Sequence, residues 1–244
     1  MDNPVRKSYF DLINIWRDIF DTPPFICLND LMRTDRDRIN KQSNFRFDFI
    51  PQPFWGNILT PKVIILTLNP GYYSERDYQT NELYKQEFID NLSQRPSLNW
   101  FNLKDTKDYR WWHNAIKDLL DENITEKDIY EKVGFFEFIG YHSKSFPSKL
   151  YNSYIDLNIE EFGAIKGILP SQKALFKHID NLLNQEENER PLVAIIWGQK
   201  FWLQGIPTLK DIDYIDTIST TSHQLSIGNL RPMDFNRLKQ KLSQ

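Results

Sequence analysis

Asn69 is the residue of this chain best placed to do chemistry. Leu66-Thr67-Leu68-Asn69-Pro70-Gly71 closes a β-branched run, Val63-Ile64-Ile65, that reads as a buried strand bounded by Pro61 and Pro70. A strand ending in Asn-Pro-Gly must turn sharply, and ligands of open α/β sheets sit at the carboxyl ends of strands. An asparagine amide directed into such a crevice can hold a water molecule or a small polar ligand. The same three residues also satisfy plain turn chemistry, for backbone reasons alone.

Other predicted strand ends carry polar groups too. The second ends in Tyr141-His142-Ser143, the third in Trp197-Gly198, and the fourth runs into Thr220-Thr221-Ser222-His223-Gln224-Leu225-Ser226. Two of the four histidines, His142 and His223, therefore fall at one edge of the sheet, while His113 and His178 lie in predicted helices. His142 or His223 as base with Ser143 as nucleophile would suit a small-molecule hydrolase. Ser143 lacks the Gly-x-Ser-x-Gly elbow that exposes such a hydroxyl, and no Gly-rich phosphate loop is present.

Elements that must position these groups follow from periodicity. Apolar residues from Phe10 to Phe20 predict an opening amphipathic helix over residues 8–20, followed by a Pro/Asn-rich connector to Gly56. Strands are expected at 62–68, 133–141, 192–198 and 213–220, with helices at 75–93, 109–121, 171–184 and 233–242. Ser171, after Pro170, reads as the cap of its helix, shifted by one residue. Strands alternating with helices predict a three-layer αβα sandwich around a four-stranded parallel sheet. Residues 1–244 read as a single domain, with 1–50 as a helical extension packed on it.

Composition narrows the partners. Hydrophobic residues make up 40% of the 244 and aromatics 14%, enough for a sizeable core with rings to spare for stacking on flat ligands. The net charge is −3, so no global positive field draws the chain to nucleic acid, and DNA contact needs a local basic surface such as Arg33 to Arg46. A single cysteine, Cys27, excludes an internal disulfide and a thiolate zinc site. No metal or cofactor is expected. Neither an amino-terminal h-region nor an apolar run of membrane length occurs, which predicts a cytoplasmic monomer without membrane contact.

This order of motifs resembles the uracil-DNA glycosylase superfamily over roughly residues 51–230. The resemblance rests on Pro53-Phe54-Trp55-Gly56 before the first strand, Asn69-Pro70-Gly71 after it, Trp197-Gly198 at the third, and the loop opening at His223. It implies that Asn69 orients the water attacking the sugar C1′ and that His223 stabilises the departing base, with Leu225 wedging into the duplex. Pro70, Gly71, Tyr72, Tyr73, Tyr141, His142, Ser143, Ser222 and Ser226 then line the base pocket, Trp55 being a further stacking candidate. A DNA glycosylase acting on a damaged, modified or mismatched base is the expectation. Its alternative is a non-catalytic module of the same fold that binds a nucleobase, nucleotide or single strand.

The chemistry suits those residue types. N-glycosidic cleavage passes through an oxocarbenium-like transition state, for which a neutral amide can position water without acting as a strong base. His223 donating to the base oxygen would follow oxyanion-hole logic, and the target base must leave its stack to enter the pocket. Departures from the family pattern are equally specific. Thr67 stands where the first motif usually has Gly, Gly140-Tyr141-His142-Ser143 replaces the uracil-reading Asn, and the His223 loop lacks its Pro. Gly71 in place of a methyl-excluding Tyr leaves room for a 5-methyl group or a larger base.

Overall fold

A computed structural model describes residues 3–19, 25–31, 45–71, 82–93, 107–143, 169–218 and 224–244. Seven strands are described: β1 (Phe45–Arg46), β2 (Phe54–Gly56), β3 (Val63–Thr67), β4 (Val133–Glu137), β5 (His142–Ser143), β6 (Leu192–Ile195) and β7 (Ile215–Asp216). The longer helices among them are α1 (Pro4–Trp16), α3 (Glu82–Ser93), α4 (Lys107–Ile116), α6 (Pro170–Leu183) and α8 (Pro232–Ser243). Shorter ones are α2 (Leu28–Leu31), α5 (Glu126–Lys132) and α7 (Gln199–Gly205).

The main sheet runs β2-β4-β3-β6-β7. Its last four strands are parallel, as expected, but it has five strands rather than four. The addition is β2, which pairs antiparallel with β4 from Phe54↔Phe136 to Gly56↔Gly134. Gly56 allows the close pairing: a Cβ there would stand 2.3 Å from Val133 O, and its φ is +72°.

Alternation along the central strands feeds two cores. Ile64, Leu66, Phe136, Phe138, Val193 and Ile195 face one way, toward Leu12, Trp16, Ile179 and Trp202 on the helices of that side. Val63, Ile65, Val133, Phe135, Ala194 and Ile196 face the other, toward Trp112, Ile116, Ile129 and Leu238. Helices thus cover both faces, as the unbroken apolar strands require.

The opening helix starts four residues earlier than its apolar pattern suggests. Asn3 caps it, its side chain accepting from Val5 N at 2.9 Å, with Pro4 in the first turn. The long second strand is not continuous. After β4 the chain passes Gly140, where a Cβ would lie 2.9 Å from Pro53 Cβ, and then β5 pairs antiparallel with β1. Among the described residues of the expected fourth strand, only Ile215–Asp216 pair as strand.

His178 joins these layers. It lies fully buried on α6, with Nε2 donating to Ile58 O at 2.8 Å and Nδ1 accepting from the Ser8 hydroxyl of α1 at 3.0 Å. Burial lowers its pKa from 6.5 to about 4. Between those values the unfolded chain binds the proton more readily, so this stability is complete above pH 6.5 and is lost as pH falls through about 4. Its loss over that window is expected to be about 3 kcal/mol. Urea unfolding at pH 7 and pH 4 measures it; a His178→Gln variant should show a correspondingly weaker dependence over the same interval.

Candidate functional site

Strand order places a topological switch point between β3 and β6. The chain leaves β3 for β4 on one side and later crosses back to β6 on the other, so the loops after β3 and β6 diverge. Such a switch point is where open parallel sheets accept ligands. Asn69 ends the first of these strands and Trp197-Gly198 the second. Gly198 has φ +78°, and a Cβ on it would meet Leu68 Cδ2 at 2.0 Å, so the two strand ends touch there. Trp197 is 38% exposed at this edge.

Asn69 is held by the neighbouring strand end. Phe138 N and Ile139 N donate to Thr67 O and Leu68 O, carrying the chain after β4 alongside the chain after β3. Ser143 N then donates to Pro70 O at 3.1 Å. The Asn69 Nδ2 donates to Ser143 Oγ at 2.8 Å and to Pro70 O at 3.0 Å. Pro70 O can only accept, which fixes the amide orientation. Asn69 is 8% exposed, and its carbonyl Oδ1 is the end left to hold water or a ligand.

His142 grips the same turn. It is fully buried, Nδ1 lying 2.8 Å from Gly71 O and Nε2 2.9 Å from Ile50 O, with Phe49 edge-on at 5.7 Å. Ser143 is buried as well, its hydroxyl accepting from Asn69, an arrangement that serves positioning better than nucleophilic attack. Asn69, Pro70, Gly71, His142 and Ser143 therefore come together. Gly71 is exposed, and among the described residues nothing lies within 4 Å of where its Cβ would be.

Other sequence candidates are placed elsewhere. Tyr141 is a core anchor and not a pocket wall. It is 1% exposed, its hydroxyl donates to Asp30 Oδ2 at 2.6 Å and accepts from Cys27 N at 3.2 Å, and Trp16 and Phe47 pack on its ring. Trp55 is buried in the second core and cannot stack on a ligand. Leu225 is likewise no wedge: it is 1% exposed, and its amide donates to Ala115 O at 2.7 Å. Ser226 is 7% exposed, its carbonyl closing a turn with Asn229 and Leu230. Tyr72, Tyr73, Ser222 and His223 lie outside the described residues.

Three features of this region escaped the sequence reading. Ile227, at the tip of the turn that Leu225 anchors, is 68% exposed. Glu137, 4% exposed, closes β4 level with Thr67. Asp30 accepts from Ser171 N at 2.9 Å, Ser171 Oγ at 2.6 Å and the Tyr141 hydroxyl, and burial raises its pKa against those three bonds. Ser171 therefore does not cap its helix; Leu169 holds that position, and a carboxylate from α2 serves the first turn.

A cavity of about 410 Å³ lined by Arg190, Leu192, Asp213, Arg237 and Lys241 opens at the amino end of β6, the opposite edge of the sheet. Among the described residues no helix is long and apolar enough to cross a membrane. No family model matches the chain, and comparison with curated proteins and solved structures returns no significant match.

Proposed function

We propose that this chain is a DNA-repair hydrolase that cleaves the N-glycosidic bond of a damaged, modified or mismatched base, with Asn69 orienting the attacking water. The observation that carries this reading is the tethered amide: both Nδ2 bonds are directed at protein acceptors, leaving Oδ1 at the switch-point edge. The four parallel strands are read with it as a uracil-DNA glycosylase-like sandwich, to which β2 adds an antiparallel rim. His223 is assigned to the developing charge on the base oxygen, on the strength of the motif resemblance. The enzyme works as a cytoplasmic monomer without cofactor. Gly71, in place of a methyl-excluding side chain, favours a base larger than uracil.

Single-turnover base release from oligonucleotides bearing uracil, mismatched thymine, hypoxanthine or alkylated bases tests the proposal. Release of at least one is expected. If none is released while single strands or free nucleobase bind, the protein is a binding module and not an enzyme.

The wedge passes from Leu225 to Ile227 in this reading. Ile227→Ala should weaken duplex engagement by about 1–2 kcal/mol, on the scale of unstacking one base step, and spare single-stranded substrate. Leu225→Ala should instead cost about 2–4 kcal/mol of folding stability, as a buried leucine does. Binding titrations on both DNA forms and urea melts separate the two; equal loss of Ile227→Ala on single and double strands would remove the wedge role.

A further inference from the structure

We propose that His142 is the positioning residue of this site, a doubly protonated imidazolium that ties the Ile50 and Gly71 carbonyls together and thereby fixes the turn carrying Asn69. Carbonyl oxygens only accept, and a neutral imidazole has a single N–H. Contacts of 2.8 Å and 2.9 Å to two carbonyls are made together only when both ring nitrogens donate. His178 provides the contrast within the same molecule: one of its nitrogens faces a carbonyl and the other a hydroxyl that can donate, so a neutral ring satisfies both.

The surroundings define what the ring holds. Its cross-strand partner on β1 is Arg46, which pairs with Asp48 through two bonds of 2.8 Å and 2.5 Å and lies over the Phe49 ring. Glu137 closes β4 on the sheet face whose core includes Phe49. The turn at 69–71 brings no charge. Among the described residues, Arg46, Asp48 and Glu137 are the ionisable groups on the elements packed around the ring. From β5, three bonds reach the turn: His142 to Gly71 O, Ser143 N to Pro70 O, and Ser143 Oγ to Asn69. Loss of one ring proton leaves two carbonyls competing for one donor, and the hold on either Ile50 or Gly71 is given up.

The part of this inference that concerns base release rests on the proposed function, so the decisive measurement does not use activity. In protein labelled with ¹⁵N-histidine, two-bond ¹H–¹⁵N correlation at pH 7.5 should show both ring nitrogens of His142 protonated, beside one bare nitrogen on His178. A bare nitrogen on His142 at that pH overturns the proposal. His142→Gln, which cannot span both carbonyls, should lower the exchange protection of the Ser143 amide about tenfold while the His178 signals stay in place. Unchanged protection in that folded variant also overturns it, and should the variant not fold, the wild-type spectrum decides. If the wild type releases a base, its rate should fall at the pH where His142 loses its second proton, and His142→Gln should lack that limb. A wild type that releases none refutes the glycosylase reading and leaves the histidine spectrum to judge this one.

Discussion

Asn69→Ala is expected to lower the single-turnover rate of base release by about two to three orders of magnitude while changing oligonucleotide affinity less than about threefold. The reason is where the proposed function has Asn69 act. A water held by Oδ1 contributes little to ground-state binding, whereas its alignment matters as the sugar C1′ gains positive charge, and interactions made only then appear in the rate. Asn69→Asp should recover little of the rate: it keeps an acceptor for the water, but it sets a carboxylate oxygen where Nδ2 now donates to Pro70 O at 3.0 Å, and that carbonyl cannot donate in return. Equal loss of rate and affinity in Asn69→Ala would make the residue a binding contact, and an unchanged rate would exclude it from the chemistry.

The largest effect on folding is expected at Asp30. Asp30→Ala should destabilise the protein by about 4 kcal/mol, because it orphans the buried Tyr141 hydroxyl, the Ser171 hydroxyl and the Ser171 amide together. Asp30→Asn should cost about half as much, since one oxygen can still accept while the new NH₂ faces donors. Urea melts at pH 7 measure both. A loss below about 1 kcal/mol for Asp30→Ala would mean that water replaces the carboxylate and that the cluster is not cooperative. Burial raises the Asp30 pKa, so its own titration favours folding at low pH and that contribution is lost as pH rises through the folded value. This slope is opposite to that of His178, which is why the two are best read from difference measurements on variants.

The sheet and its switch point were legible where local pattern and global packing agree. Val63 to Thr67 and Val193 to Ile195 are buried on both faces, so their apolar runs left no ambiguity. Asn3-Pro4 carried a visible start signal for the first helix, but the apolar periodicity beginning at Phe10 obscured it. Phe54-Trp55-Gly56 is too short to alternate and follows a proline, so nothing local marks it as a strand; it forms because β4 has a free edge to cover. Asp30 was invisible for a different reason. Its partners are 111 and 141 residues away, and an acidic residue in a polar connector looks solvated until the chain closes around it.

Leu225 and Ile227, two residues apart, show how exposure in a polar loop escapes the sequence. An isolated aliphatic residue in a polar loop can be an anchor or a protrusion, and the sequence does not distinguish them. The hydrogen bond from Leu225 N to Ala115 O settles the choice by pulling that residue into the core, which leaves Ile227 at the tip. Asn69 was recognised correctly as the polar end of a strand, but its tether was not, because Ser143 lies 74 residues further along the chain.

The two-residue ladder between β1 and β5 looks minor beside the main sheet, yet it bears on how far this protein can be cut down. The parallel strands begin at Val63, and trimming to them keeps the four-stranded parallel part of the sheet. Such a minimal fragment would discard the pairing partner of His142, the Ile50 carbonyl that its ring faces, and the Asp30 carboxylate that secures Tyr141 next door. Asn69 would still sit at the end of its strand, but on an unbraced turn. For anyone grafting this site onto another scaffold, the transferable module is the Asn-Pro-Gly turn with its brace from residues 45–50 and 141–143, and the sheet is only the platform beneath it.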